Sequence, residues 1–379
     1  MRIIQWIKLL IVACVFFLLA GCWDEKEIGE VDYATVMGID YKDDQYKLYV
    51  QLLDFANVAK QEGVKQTQPA PIYIGKSSGS TLNEAINQLV ETSQQVLNWG
   101  HVGAVVYSEA ALKNGLEKIE QSMRRSGEFR NSAWMYGTKE PIEELLSIPG
   151  FFNTPPLYTI LYKPKDFYKE YSYIKPNRMY NFVSIYKDPG GTSLLPSLSI
   201  DRDDWTEAVV QNETKKTLKI NGVFPIEYDG KYTDWLDKDE IPGLKWVGAD
   251  IQKSPLKLEK DGKKIGSVEV ERPKSKIKQI RGGTAPIFEI EIKAEGSVED
   301  LITSLSEREI VKQAKEEIEK EIRKTYETAV EKQVDIYNFK NELFRNGMSP
   351  RKLKDVHLTK ESLGKVKVYF TLESMGIYE

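Results

Sequence analysis

Cys22 carries the most nucleophilic side chain available to this protein, and its neighbours decide what that thiol does. It closes the run Leu19-Ala20-Gly21-Cys22, directly after an apolar stretch from Leu9 to Leu19, with basic Arg2 and Lys8 ahead of it. A basic start, an apolar middle and small residues at the end have the layout of a secretory signal. Small residues admit the backbone to a signal peptidase. A thiol at the next position offers a nucleophile for attaching a diacylglyceryl group. Residues 1–21 read as a lipoprotein signal peptide, and Cys22 as the lipid-attachment site and first residue of the mature chain.

The run is similar to a bacterial lipobox. The competing reading is an uncleaved N-terminal membrane helix: the stretch is short for a span of about 20 residues, but lengthens if counted from Ile3. In both readings the body lies outside the cytoplasmic membrane. One acyl chain binds weakly, whereas two or three hold a protein durably. Trp23-Asp24-Glu25-Lys26-Glu27-Ile28 follows with almost no tether, which holds the body close to the bilayer and lets Trp23 sit at headgroup level.

Other reactive side chains are scarce. The chain has two cysteines, and Cys14 leaves with the signal, so the exported body has no disulfide. Two histidines, His101 and His357, stand far apart, with no HExxH and no cysteine cluster, which argues against a His/Cys zinc site. His101 belongs to no Ser/His/Asp or Cys/His arrangement and reads as a structural residue at a helix–strand junction. The acidic runs Asp201 to Asp204 and Asp237 to Glu240 offer carboxylate pairs of the kind glycosidases use. Charged loops and helix starts explain them better. No enzyme activity and no cofactor is expected.

Composition agrees with a folded exported body. Removing 21 of 379 residues leaves 358, suited to two or three domains. Hydrophobic residues make up 41% and charged residues 29%, and twenty tyrosines and seven tryptophans supply packing material. The formal charge is −4, and loss of Arg2 and Lys8 takes the mature side chains to about −6. That balance gives no support for a nucleic-acid partner and leaves anchoring to the acyl chains.

The elements that position these residues follow from patterning. Ala34 to Asp40 and Tyr46 to Leu53 form a hairpin turned at Asp43-Asp44. Residues 56–71 are polar and read as a loop. Gly79-Ser80-Thr81 caps a helix through Leu82, Ala85, Ile86, Leu89 and Val90, with Val96 and Leu97 continuing its apolar face. Val102 to Tyr107 is a short buried strand. Ser108 caps a second helix with the stripe Leu112, Leu116, Ile119 and Met123, closed by Arg124-Arg125. Asn131 to Tyr136 is a strand, Ile142 to Leu146 a brief helix, and 149–196 is irregular. Thr217 to Phe224 opens a second patterned region, with a tight turn at Asp229-Gly230.

From Pro286 the pattern sharpens. Phe288, Ile290, Ile292 and Ala294 alternate with charged residues, as in a strand with one wet face. Ser306 and Glu309 have capping-box spacing before a long helix through Ile310, Ala314, Ile318, Ile322, Tyr326 and Ala329. It approaches 35 residues, or about 50 Å. Val366, Val368, Phe370 and Leu372 form a last strand that pairs with the Phe288 strand. The expected fold is α+β with three mixed α/β domains: 22–200, 201–275, and 276–379 with the long helix against an antiparallel sheet.

At several spaced points the chain resembles the Ger(x)C family, the C-subunit lipoproteins of spore germinant receptors. The points are Gly21-Cys22-Trp23-Asp24 with Glu27-Ile28, Met37-Gly38-Ile39-Asp40, Gly79-Ser80-Thr81-Leu82 with Glu84-Ala85-Ile86, and Trp99-Gly100-His101. Gly115-Leu116, Arg124-Arg125, Glu128-Phe129-Arg130, Gly222-Val223-Phe224, Trp235-Leu236, Gly243-Leu244-Lys245-Trp246, and Gln333, Asp335 and Phe339 continue the match. Asn338 and Lys340 depart from it, standing where relatives often have glycines.

The resemblance implies three mixed α/β domains and no catalysis. It implies residence on the extracytoplasmic face of the inner membrane of a dormant spore, and partnership with A-type and B-type membrane subunits and other germination proteins. On the matched positions, Trp23, Asp24, Gly38, Asp40, His101, Arg125 and Asp335 are candidates for structural support or partner contact. A second function considered is direct binding of a small nutrient.

Overall fold

A computed structural model describes residues 5–6, 31–53, 71–127, 129–171, 173–207, 213–248, 251–260 and 262–374. Cys22, Trp23, Asp24 and nearly all of the polar segment 56–71 lie outside the described residues.

The chain opens with the expected hairpin, β1 (Val31–Lys42) and β2 (Gln45–Leu53). Asp43 and Asp44 turn it with φ of 54° and 55°, the left-handed pair a two-residue hairpin requires. β3 (Ile72–Gly79) precedes α1 (Leu82–Val90), whose N-cap Thr81 accepts from the Glu84 N–H. Val96 and Leu97 do not extend that helix. They form β4 (Val96–Asn98) beside β1, because an isolated apolar pair fits either periodicity.

A short 3-10 turn at Trp99–His101 leads to β5 (Ala104–Ser108), α2 (Glu109–Ser126), β6 (Trp134–Thr138) and α3 (Ile142–Leu146). The stretch expected to be irregular holds α4 (Pro164–Tyr171), β7 (Asn177–Arg178), α5 (Met179–Lys187) and the start of β8 (Thr192–Asp201). A small ribbon, β9 (Thr206–Glu207) with β10 (Glu213–Thr214), then gives way to β11 (Thr217–Glu227), β12 (Lys231–Tyr232) and β13 (Leu236–Asp237).

These strands build an eleven-stranded sheet with the path β12-β11-β8-β6-β5-β1-β2-β3. Its centre is parallel from β1 through β5 and β6 to β8. Central parallel strands are covered on both faces and read as continuous apolar runs. β5 shows this: Val105 and Tyr107 enter a core with α1, α2 and α5, while Ala104 and Val106 enter one with α3 on the opposite face.

A second sheet holds β14 (Lys253–Lys260), β15 (Lys263–Arg281), β16 (Ile287–Leu301) and β17 (Leu363–Ser374), with α6 (Glu307–Glu331), α7 (Phe339–Arg345) and α8 (Pro350–Leu353) between the last two strands. The sheet runs antiparallel through β14, β15 and β16. β17 pairs with β16 as expected, but in parallel. The helical connection carries the chain back to its starting edge, which a parallel pair requires.

α6 has the expected capping box, Ser306 with Glu309, and buries Ile310, Ala314, Ile318, Ile322, Tyr326 and Ala329. Each fully buried isoleucine contributes about 1.5–3 kcal/mol. The helix has 25 residues, not 35. Gln333 turns left-handed at φ 60° and the chain reverses into α7.

Segment 201–275 has no principal sheet of its own among the described residues. β11 pairs along all of β8, from Thr217 opposite Asp201 to Glu227 opposite Thr192, and so belongs to the first sheet. β14 and β15 belong to the second, and the boundary expected after residue 275 falls inside β15. One core also runs between the sheets: Val223 and Leu236 pack with Trp246, Ile322 and Phe288.

Candidate functional site

The region that brings most matched positions together is the junction of the two sheets. Asp335 follows the left-handed Gln333 and is 3% exposed. Its carboxylate accepts from the Phe339 N–H at 2.8 Å and the Lys340 N–H at 2.7 Å, so it caps α7 from within the turn. Burial pushes this carboxyl up to about 6, against those two amides and the Lys340 charge, which favour ionisation.

Asn338 takes φ 58°, a left-handed conformation that glycine adopts freely and that asparagine tolerates. Its carboxamide bonds both the N–H and the C=O of Thr192, the first residue of β8. Asn341 donates to the Asp188 carboxylate at 2.8 Å and to the Pro189 carbonyl at 3.2 Å. One turn therefore ties the second unit to the head of a central strand in the first.

A second tie uses the Gly243-Leu244-Lys245-Trp246 run. Lys245 and the Trp246 indole both donate to the Glu321 carboxylate on α6, at 3.0 and 2.6 Å. Burial raises the Glu321 carboxyl, and these two partners oppose the rise. The Gly243 N–H donates to the Thr325 hydroxyl at 2.7 Å. A Cβ at Gly243 would stand 2.6 Å from the Glu321 carbonyl, so only glycine lets this turn lie on the helix.

The remaining candidates sit apart. Gly38 lies in β1 where a Cβ would strike Ile142 of α3. The Asp40 carboxylate accepts from the Tyr41 N–H and from the Ser108 hydroxyl, and Ser108 in turn accepts from the Ala111 N–H to cap α2. His101 is exposed, its ring edge-on to Tyr33 at 4.8 Å. Arg125 is exposed in the last turn of α2. Asp40 and Gly38 thus position helices, while His101 and Arg125 present surface.

Sequence reasoning missed Thr192, Asn341 and the buried carboxylate of Glu120. Glu120 accepts from the Tyr186 hydroxyl and pairs with Arg124 at 3.0 Å and Lys187 at 3.1 Å. The signal available was a carboxylate on the stripe side of an otherwise amphipathic helix, followed at i+4 by arginine.

The acidic runs resolve into structural pairs. Asp201 pairs with Lys219 at 2.5 Å; Asp237 and Glu240 form a capping box, and Glu240 pairs with Lys332 at 2.8 Å. Among the described residues, no group of three or more His, Cys, Asp or Glu side chains gathers to hold a metal, and no helix is long and apolar enough to cross a membrane. A cavity behind Tyr136, bordered by Ile160 and Ile174, measures about 10 Å³, room for about one water.

The fold and its junction define a two-sheet mixed α/β protein whose buried carboxylates cap helices and join units. A spore germination protein N-terminal domain matches residues 24–200, and a C-terminal domain described as spore germination B3/GerAC-like matches residues 221–376. The chain belongs to this Ger(x)C family of spore germination proteins, the non-catalytic C-type subunits of germinant receptors.

Spore germination protein KC of Bacillus subtilis (strain 168) is 23% identical over 86% of this chain and 84% of its own length. Spore germination protein B3 of the same organism is 25% identical over 74% of this chain and 72% of its own. The crystal structure of the GerBC protein shares the fold, with a TM-score of 0.54 at 17% identity, covering 89% of this chain and 96% of that one.

Proposed function

We propose that this protein is a lipid-anchored subunit on the extracytoplasmic face of the inner membrane of the dormant spore, where it assembles with or regulates A-type and B-type receptor subunits. The observation that carries the reading is the family match over 24–200 and 221–376, which spans both sheets and the junction that locks them. The Leu19-Ala20-Gly21-Cys22 run supports the anchor. Acyl chains restrict the body to a surface, and confinement raises effective concentration as a tether does. The body then contributes faces held in fixed relation.

Crosslinking in dormant-spore membranes, followed by peptide mapping, tests this. Peptides of the A-type and B-type subunits joined to this chain are expected. A receptor that assembles and responds normally in spores lacking this protein would defeat the proposal. Calorimetry of the purified protein with amino acids and sugars separates the assembly role from direct nutrient binding, for which heats of binding are required.

A further inference from the structure

β15, β16 and β17 have one face under α6 and one face in water. Phe288, Ile290 and Ile292 point to the helix side, so residues between them point outward. On the outer face Lys276 stands opposite Glu291, which stands opposite Lys367; Lys278 stands opposite Glu289; and Lys274 stands opposite Lys293. Lys365 joins them two residues before Lys367. All six lysines are exposed.

Charge on this face is unbalanced. Glu291 pairs with Lys278 at 2.7 Å and Glu289 with Lys367 at 2.6 Å. Those pairs use both glutamates and leave Lys274, Lys276, Lys293 and Lys365 as surplus. Like charges directly opposite each other destabilise a sheet, yet Lys274 and Lys293 are register partners. The lysine field ends at the next row, where Glu271 stands opposite Glu295. It lies on a protein whose formal charge is −4.

We infer that this outer face of β15–β16–β17 docks the body on anionic phospholipid headgroups. Lysine is a strongly hydrated point charge and is depleted from protein–protein interface cores, where aromatic residues are enriched. This face carries one large exposed aromatic, Tyr369 at 53%, beside Lys293. Tyrosine is enriched at membrane–water interfaces. Lysines spread over three neighbouring strands suit a diffuse field of phosphates better than a protein surface. The inference rests on the proposed acylation of Cys22. The nine residue-to-residue steps from Cys22 to Val31 reach at most about 30 Å, so the body stays near the headgroups and the face decides which side it presents.

The test uses the acylated full chain on vesicles of phosphatidylcholine alone or mixed with phosphatidylglycerol. Flotation on uncharged vesicles reports the anchor. Amine-reactive labelling of the floated protein, mapped by mass spectrometry, reports the face. Labelling at Lys274, Lys276, Lys293 and Lys365 is expected to fall at least roughly fivefold on anionic vesicles, because an attraction worth a factor of about five in affinity per lysine favours the docked orientation. Lys312, on the exposed side of α6, serves as the unchanged reference. Salt at about 0.5 M, where screening shortens to a few ångströms, restores the labelling. The quadruple Lys→Gln variant at these positions floats on uncharged vesicles, keeps its circular dichroism and no longer distinguishes the two lipids.

Equal labelling on both vesicle types overturns the inference. So does protection that arises only when the receptor membrane subunits are added, which would assign the face to a protein. Failure to float on uncharged vesicles together with salt-sensitive flotation on anionic ones defeats the anchor and keeps the face.

Discussion

The Asn338 carboxamide grips Thr192 by both backbone groups, accepting at 2.6 Å and donating at 3.0 Å across 146 positions of sequence. Replacing Asn338 with glycine keeps the left-handed backbone and loses the grip. Replacing it with alanine loses both. Asn338→Gly is expected to cost about 1–3 kcal/mol, the range for leaving partly buried backbone groups unpaired. Asn338→Ala adds about 1–2 kcal/mol of backbone strain. Urea unfolding checks the order, and equal stability of the two variants would contradict it.

Asp335 makes stability depend on pH. Its carboxyl ionises near 6 in the folded chain and near the ordinary value of about 4 when unfolded. Between those values the folded chain holds more protons than the unfolded one, so this group's contribution falls as pH rises through the window. The displacement is worth roughly 2–3 kcal/mol. Asp335→Asn removes the charge and should flatten this component. The wild-type stability minus that of the variant is expected to decrease from pH 4 to pH 6, measured by chemical unfolding at each pH.

Gly38→Ala places a methyl group against Ile142, at the contact between β1 and α3. Overpacking of this kind costs about 1–3 kcal/mol. Adding Ile142→Ala in the same chain vacates the space and should recover part of the loss relative to the Ile142→Ala single variant. Thermal melts of the three variants read the coupling.

Ser306→Ala removes the hydroxyl that accepts from the Glu309 N–H at the start of α6. A loss of about 1 kcal/mol is expected, seen as a lower urea midpoint with an unchanged slope.

Cys22→Ala removes the proposed acylation site. Mass spectrometry should find no acyl adduct, and retention in the membrane fraction should weaken. Full retention of the variant would count against the anchor.

Local signals in the chain were readable where chemistry is local. Asp43-Asp44, Thr81, Ser108 and the Ser306/Glu309 box each mark a boundary through bonds that close within a few residues. The alternation at Phe288, Ile290 and Ile292 shows which face meets α6. The pairing of β11 with β8 was not readable, because a strand pattern states which residues are buried and not which neighbour buries them. The direction of β17 escaped for the same reason. At the junction, Asp335 and Asn338 drew notice only through family resemblance. Side-chain bonds to backbone more than a hundred residues away leave no periodicity to detect.

The parallel placement of β17 also sets an order of events during synthesis. Leu363–Ser374 leaves the ribosome after the other three strands of its sheet, β14, β15 and β16. Until it arrives, β16 has a bare margin and Phe370 is missing from the core that holds Phe288 and Ile322. Ribosomes that stop short of residue 363 would release chains with an open, adhesive strand. Quality-control proteases would meet these chains as unfinished goods, even though three of the four strands of that sheet are already made.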